Sequence, residues 1–136
     1  MNKRHRPAPE PIKGRIAVVG VCASGKSALV WRLSDRGYDA RHCGQEHSYV
    51  PDMWQRLSRP EVLVYLDASL AIIRTRRAVN YGEEYIEMQR RRLAHARQHA
   101  HVRVDTDPLS EEEVLDRVVE ALDDLGVTPQ REPEPD

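Results

Sequence analysis

The chain has 136 residues, which is the length of a single domain, and its 40% hydrophobic content suffices for one core. Its 21 Lys and Arg residues against 22 Asp and Glu residues give a formal net charge of -1, which excludes a strong overall field toward nucleic acid or membranes. The two cysteines form no disulfide framework, and neither an apolar run of about 20 residues nor a secretory signal is present, so we expect a cytoplasmic protein with no membrane partner.

Both ends of the sequence differ in composition from the middle. Residues 1–13 carry four bases and three prolines and are expected to form a disordered basic arm. Residues 127–136 combine three prolines with acidic side chains and are expected to form a frayed tail. A single folded domain is therefore expected over 14–126.

Strand and helix patterns alternate through the first half of this domain. A continuous apolar run at 16–19 ends at Gly20 and predicts a strand that is buried on both faces. A helix over 26–36 follows. Its residues available to the core are Ala28, Leu29, Trp31 and Leu33. A weaker strand over 38–43 and a short helix over 51–58 complete this half.

The second half repeats the alternation. Four elements are predicted there, namely a strand at 62–66, helices at 69–78 and 83–99, and a strand at 102–104. Ser110 and Glu113 then form a capping box that opens a last helix ending at Gly126. Strands separated by helix-length segments indicate right-handed parallel crossovers. We therefore predict an α/β fold of three αβα layers around a small, mostly parallel sheet of four to five strands.

One motif lies where the first predicted strand meets the first predicted helix. Residues 20–27, Gly-Val-Cys-Ala-Ser-Gly-Lys-Ser, match the G-x-x-x-x-G-K-[ST] pattern of a phosphate-binding loop, or Walker A motif. Gly20 and Gly25 allow backbone angles and close approaches that a Cβ would block, so that consecutive amides can face an anion. Lys26, the only lysine from residue 14 onward, supplies a point charge for the phosphates, and Ser27 supplies a hydroxyl for Mg²⁺. The expected nucleotide contacts are Gly20, Cys22, Ala23, Ser24, Gly25, Lys26, Ser27 and Ala28.

On this loop and two further segments, the chain resembles the P-loop NTPases, and among them the small-molecule and nucleotide kinases. Residues 59–69, Arg-Pro-Glu-Val-Leu-Val-Tyr-Leu-Asp-Ala-Ser, are similar to a strand of thymidylate and deoxynucleoside kinases that precedes an arginine-bearing helix. Residues 104–107 and the following helix are similar to the last strand and helix of such kinases, where the intervening loop borders the adenine. The resemblance implies a P-loop NTPase fold, ATP and Mg²⁺ as cofactors, and a base contact at Thr106.

The segment that binds substrate in these kinases is short here. Only sixteen residues, 44–59, separate the second and third predicted strands, and the lid is reduced to 80–82 and its flanks. No guanine-reading Asn-Lys-x-Asp motif is present, which favours ATP over GTP. The pattern fits a kinase for an unidentified small-molecule or nucleotide acceptor, or a nucleotide-binding switch or ATPase with little kinase activity. A nucleic-acid-stimulated ATPase is a third hypothesis, which the net charge disfavours.

Catalytic partners are expected at the carboxyl ends of the strands, where open α/β sheets bind ligands. Glu46 follows the second predicted strand, where the resembled kinases often carry a Glu-Pro pair, and is expected to orient or deprotonate the acceptor or to help hold Mg²⁺. The alternative is a solvated loop residue. Asp67 ends the third strand and is expected to hold a metal-bound water, or else caps the next helix. Arg74, Arg76 and Arg90 are candidates for stabilising charge on the transferred phosphoryl group.

Three further features of the sequence concern an arginine run, two aromatic residues and a cysteine. The run 90–92 is expected to form, with Arg97, a solvated helix face that pairs with glutamates one turn earlier. Tyr49 and Trp54 either wall a substrate pocket or pack in the core. Cys22 is either a redox-sensitive thiol of the loop or a spectator.

Overall fold

Four parallel strands form the centre of the protein in the computed structural model, which describes residues 7–77 and 82–132, with only the main chain at residues 76 and 77. The strands are β1 Ile12–Gly20, β2 Asp39–His42, β3 Pro60–Asp67 and β4 Val102–Asp105. Their order is β2-β1-β3-β4, and each neighbouring pair is parallel. The predicted α/β class is confirmed, and the sheet is wholly parallel.

Helices cover both faces of this sheet. The described residues form α1 Lys26–Asp35, α2 Met53–Ser58, α3 Leu70–Arg77, α4 Glu83–Arg92, α5 Ala94–His99 and α6 Glu111–Asp124, with a short 3₁₀ turn at Gln45–His47. On one face, α1 and α6 bury Leu33 and Leu122 against the strands. On the other face, Trp54 of α2, Ile86 of α4 and Ala96 of α5 are buried in a second cluster. This arrangement is consistent with three αβα layers.

The carboxyl ends of the strands lie at one edge of the sheet. Gly20 at the end of β1 is aligned with Leu66 of β3, and β2 flanks β1 on the other side. At β4, Asp105 is aligned with Asp67. The loop after β1 is therefore bordered by the segments that follow β2 and β3, which is the place where parallel sheets bind ligands.

The helix predicted over 83–99 is interrupted, so the prediction of one continuous helix was wrong. At Leu93 the N–H donates to the carbonyls of both Gln89 and Arg90, at 3.0 and 3.2 Å, and tightens the turn between α4 and α5. The Leu93 side chain is fully buried. Helical spacing continues on both sides of this break, which is why the sequence pattern did not show it.

The prediction that Trp31 faces the core was also wrong, because this side chain is 67% exposed. Leu29 and Leu33 are buried, and they lie four residues apart on one face of α1. Trp31 is two residues from each of them, which rotates it about 200° around the helix axis.

The packed part of the chain extends past the expected boundaries at 14 and 126. Strand β1 begins at Ile12, whose N–H donates to the Arg59 carbonyl at 2.8 Å. After α6, Val127 is buried in the core, and the Gln130 N–H donates to the Gly37 carbonyl at 2.8 Å. Residues 1–6 of the expected arm and 133–136 of the expected tail lie outside the described ranges.

A hydrogen bond between two side chains ties α2 to α5. Trp54 Nε1 donates to His95 Nδ1 at 3.0 Å, which requires that this imidazole nitrogen carry no proton. Burial lowers the pKa of His95, and the neighbouring His99, whose ring centroid lies 4.3 Å away, lowers it further, whereas Asp52 opposes the shift. The neutral imidazole is therefore part of the folded structure.

We expect the free energy of unfolding to fall as the pH drops below the ordinary histidine pKa of 6.5. The pKa of His95 is lower in the folded state, so in this window the unfolded chain binds more protons and gains stability relative to the folded one. Urea unfolding between about pH 7.5 and 5.5 measures the effect. His95→Gln should flatten the pH dependence. Equal slopes for the native chain and His95→Gln would refute this assignment.

Candidate functional site

The loop between β1 and α1 has the backbone form that its glycines predict. Gly20 has no room for a side chain, because a Cβ there would overlap a main-chain carbonyl of β3 and lie 2.7 Å from Ser24 Oγ. Gly25, the N-cap of α1, has a φ of 100°, and Ala23 has a φ of 60°. The Ser24 N–H closes the turn on the Val21 carbonyl at 3.2 Å. The chain thus curls around a concavity between strand and helix.

The main-chain amides of the loop fall into two groups. The Cys22 N–H donates to Gln89 Oε1 at 2.9 Å and the Ser24 N–H donates within the loop, so neither is open to a ligand. No side chain caps α1, and among the described residues the amides of 25–28 make no hydrogen bond. These four amides lie at the positive end of the helix dipole. They are the part of the loop that can bind an anion.

Lys26 is folded into the loop and is only 6% exposed. Its Nζ donates to the carbonyls of Gly20 and Val21 at 2.8 and 3.0 Å, and lies 2.9 Å from Glu46 Oε2. Glu46 is itself 3% exposed, in the 3₁₀ turn after β2, so the two predicted residues meet in a buried ion pair. Its Oε1 has no hydrogen-bond partner among the described residues, and His47 Nε2 lies 3.7 Å from Oε2. One buried carboxylate oxygen is therefore open to another group.

A cavity of about 430 Å³ lies at this end of the loop. Its lining combines the lysine, the glutamate and parts of the loop, namely Cys22, Ala23, Gly25, Lys26, Ser27, Ala28, His42, Glu46 and His47. Ser27 is exposed, so its hydroxyl is accessible to a ligand. In the described ranges no cluster of three or more His, Cys, Asp or Glu could hold a metal ion. Mg²⁺ takes few protein oxygens and adds phosphate and water ligands, so the accessible Ser27 hydroxyl is chemically compatible with it.

A second cavity, of about 270 Å³, adjoins the first at Gly25 and Ala28, which line both. Thr106 lies on its wall, 2% exposed, with both its N–H and its Oγ1 bonded to the Asp67 carbonyl at 2.9 Å. Ser24 also lines this cavity, and its buried hydroxyl has no described partner. Apolar side chains form part of the wall, namely Leu29, Leu109 and Val114, and the polar residues Ser110 and Glu111 also line the cavity. Such walls suit a flat organic ring.

Two predicted site residues, Asp67 and Arg74, line neither of these two cavities, and the side chain of a third is not described. The Asp67 carboxylate accepts the next main-chain N–H at 2.9 Å and lies 3.6 Å from Arg90 Nη2. Arg74 is exposed in α3 and lines neither of these two cavities. The Arg76 side chain lies outside the described part of the chain, as do residues 80 and 81 of the expected lid. The roles assigned to these residues stay predictions.

Three of the four arginines expected on a solvated face, Arg90, Arg91 and Arg97, are exposed, and two arginines of α4 also contact other segments of the chain. Arg90 Nη2 donates to the Ala68 carbonyl at 3.0 Å. Arg92 Nη1 donates to the Glu46 carbonyl at 3.4 Å, and its guanidinium lies 4.4 Å from the ring centroid of the exposed Tyr49. Within the described ranges these arginines form no ion pair with Glu83, Glu84 or Glu87.

Two buried glutamines position the site, and neither was among the predicted site residues. Gln89 of α4 is fully buried, and while its Oε1 accepts the Cys22 N–H, its Nε2 donates to Cys22 Sγ at 2.9 Å. Gln45 holds the turn beside Glu46, since its Oε1 accepts the Trp54 N–H at 2.8 Å and its Nε2 donates to the Val50 carbonyl at 2.7 Å.

The signal for Gln89 was its position in the helix pattern. It lies three residues after Ile86 and four before Leu93, both buried, so it is a polar residue on the apolar face of α4. A buried polar group at such a position needs partners. The pattern does not show which residue supplies them.

We expect Gln89→Met to lower the free energy of unfolding by about 2 kcal/mol, because the buried Cys22 N–H loses its partner while side-chain volume is kept. Hydrogen exchange at the Cys22 amide should become faster as well. Urea unfolding and amide exchange measure the two effects. Cys22→Ser is the matched control, since it retains the N–H and an acceptor atom for Gln89. A loss below about 0.5 kcal/mol for Gln89→Met would show that the hydrogen bonds between Gln89 and Cys22 do not stabilise the loop.

No protein-family model matches the chain, and no curated protein matches it. Among the described helices, none has both the length and the apolar composition needed to cross a membrane. Fold and site together define an α/β protein with a four-stranded parallel sheet, whose groups suited to an anion gather at the loop after β1.

Proposed function

We propose that the chain is a P-loop protein that binds Mg²⁺-ATP at residues 20–27 and transfers the terminal phosphoryl group to a small molecule or nucleotide. One observation carries this proposal. The Lys26 ammonium, the unbonded amides of 25–28 and the Glu46 carboxylate meet at one cavity, at the carboxyl end of a buried parallel strand.

The two adjoining cavities bind different parts of the nucleotide. The amides and Lys26 bind the phosphates in the first cavity, where the helix dipole adds to their charge. The base occupies the second cavity, beside Thr106. Because Gly25 and Ala28 line both cavities, one ligand can span them.

Phosphate binding changes the partner of the lysine. Phosphate oxygens compete with Glu46 for the Lys26 ammonium, and the carboxylate is released from its ion pair toward the acceptor. Ser27 is the residue of the loop that holds Mg²⁺, with its hydroxyl oxygen. When bound, Mg²⁺ neutralises charge on the phosphoryl oxygens.

Glu46 then acts as the base. Its carboxylate accepts the proton of an acceptor hydroxyl, the acceptor oxygen forms a bond to the terminal phosphorus, and the bond between that phosphorus and the bridging oxygen breaks to release ADP. The open Oε1 of Glu46 supports this role, because a buried carboxylate oxygen needs a donor.

The alternative is a nucleotide-binding switch or ATPase with little kinase activity. It is favoured by the short connection between β2 and β3, which consists of the 3₁₀ turn and the six-residue α2. Trp54 of this connection is 4% exposed and packs in the core, so it does not serve as the wall of an acceptor pocket.

ADP release in the presence of ATP and a panel of nucleosides, nucleotides and small hydroxylated molecules distinguishes these functions. A kinase gives ADP release that depends on one acceptor and that falls by about 10²-fold or more in Glu46→Gln. ADP release without an acceptor indicates an ATPase. ATP binding without turnover over the whole panel indicates the switch and contradicts the kinase.

A further inference from the structure

A third cavity, of about 520 Å³, lies beside β3, β4, α4 and α5 and shares no lining residue with the two cavities of the nucleotide site. Its polar lining residues are Tyr65, Asp67, Arg90, Arg97, Gln98 and Arg103. Tyr65 and Arg103 are aligned partners on β3 and β4, so both side chains leave the same face of the sheet.

The charge in this cavity is unbalanced. Three guanidinium groups face one carboxylate, which leaves two positive charges. Asp67 lies 3.6 Å from Arg90, which also donates to a main-chain carbonyl. The guanidinium groups of Arg97 and Arg103 make no hydrogen bond or ion pair with any residue in 7–77 or 82–132. Like charges that share a cavity repel each other, and an anion between them removes that repulsion.

Tyr65 also lines this cavity. Tyr65 is 3% exposed, and its hydroxyl makes no hydrogen bond with a described residue. Burial, together with the nearby charge of Asp67, raises the pKa of Tyr65 to about 12. The phenol is therefore protonated at neutral pH and can donate a hydrogen bond.

We propose that this cavity is a second anion site, which binds the phosphate group of a phosphorylated small molecule. Three donors from three elements, Tyr65 of β3, Arg97 of α5 and Arg103 of β4, suit the several oxygens of a phosphate. Guanidinium groups bind phosphate through paired N–H donors, and two unbalanced positive charges match a phosphate dianion. The volume is within the range of small-molecule sites, so the rest of the ligand can be enclosed as well.

NMR titration of the full chain with glycerol 3-phosphate tests this site, and sodium chloride of equal ionic strength is the control for general screening. Saturable shifts are expected at Tyr65, Arg97 and Arg103. They should persist in Lys26→Met/Glu46→Gln, in which the nucleotide loop lacks the Lys26 charge.

Matched variants give the expected size of the effect. Arg97→Gln/Arg103→Gln should weaken binding of glycerol 3-phosphate by about tenfold or more, and Tyr65→Phe by several-fold, because each removes donors to a charged ligand. Arg117→Gln, which removes an exposed arginine of α6, should leave the affinity unchanged.

Four titration outcomes would overturn the proposal, and a displacement experiment adds a fifth. The four are shifts confined to the nucleotide loop, shifts that do not saturate, equal affinity in the double arginine variant, and tighter binding of citrate than of glycerol 3-phosphate. The last outcome would assign the cavity to a carboxylate ligand. If a single-stranded oligonucleotide displaced glycerol 3-phosphate at a hundredfold lower concentration, the partner would be nucleic acid and the small-molecule proposal would be wrong.

Discussion

Glu46→Ala is expected to lower the free energy of unfolding by about 3 kcal/mol, because it leaves the buried Lys26 ammonium without its counter-charge. The two side chains are 6% and 4% exposed and lie 2.9 Å apart, so water cannot replace the lost partner without entering the loop. The main-chain carbonyls that also bind Lys26 keep the loss near the lower end of the range for buried ion pairs. Urea unfolding of the native chain and the variant measures it.

A double-mutant cycle separates this ion pair from other effects of substitution. Lys26→Met alone should also destabilise the chain, because it leaves the Glu46 carboxylate buried with His47 as the nearest basic group. Glu46→Gln is the second single variant of the cycle. The double variant Lys26→Met/Glu46→Gln should recover to within about 1 kcal/mol of the native chain, since both charges are removed together. If the two single effects simply add, the pair contributes nothing to stability.

Gly20→Ala is expected to cost about 3 kcal/mol of folding free energy, which is at the upper end of overpacking effects. The new Cβ would overlap the Leu66 carbonyl of β3 and press on Ser24 Oγ, and a main-chain carbonyl in a parallel sheet cannot rotate away. The loop is displaced as a consequence, so nucleotide affinity should fall together with stability.

Gly44→Ala is the matched control for this substitution. Gly44 has a φ of -86°, and a Cβ placed there meets no atom within 4 Å, so its replacement should change stability by less than about 0.5 kcal/mol. Urea unfolding of both variants measures the difference. Equal losses of stability at the two positions would show that the close approach of β1 to β3 does not limit the size of the side chain at residue 20.

The sheet and the loop could be predicted because their signals are local. A buried strand that ends in glycine, a helix that begins at Lys26 and a capping box at Ser110 each occupy a few consecutive residues, and the structure contains each of them. The sequence predicted separate roles for Lys26 and Glu46, but it did not predict that the two side chains form an ion pair. The pair exists because β2 lies beside β1, which brings the segment after β2 to the end of β1.

The remaining features depend on contacts between distant parts of the chain. Gln89 reaches Cys22 from 67 residues away, and nothing near either residue indicates its partner. The arginines of α4 were expected to pair with glutamates of the same helix, but Arg90 and Arg92 bind main-chain carbonyls of other segments, which a helical pattern cannot reveal. Trp31 is apolar and yet exposed, because residue type alone does not decide which face of a helix meets the sheet.

Thermal unfolding with and without Mg²⁺-ATP tests most directly whether the loop binds a nucleotide through Lys26. A ligand present at about 100 times its Kd stabilises the folded chain by about 2.7 kcal/mol, which raises the Tm by several degrees. We expect this shift for the native chain and for Lys13→Met, whose lysine is exposed near the start of β1, and its loss in Lys26→Met/Glu46→Gln. A full shift in the double variant, or none in the native chain, would contradict nucleotide binding at this loop.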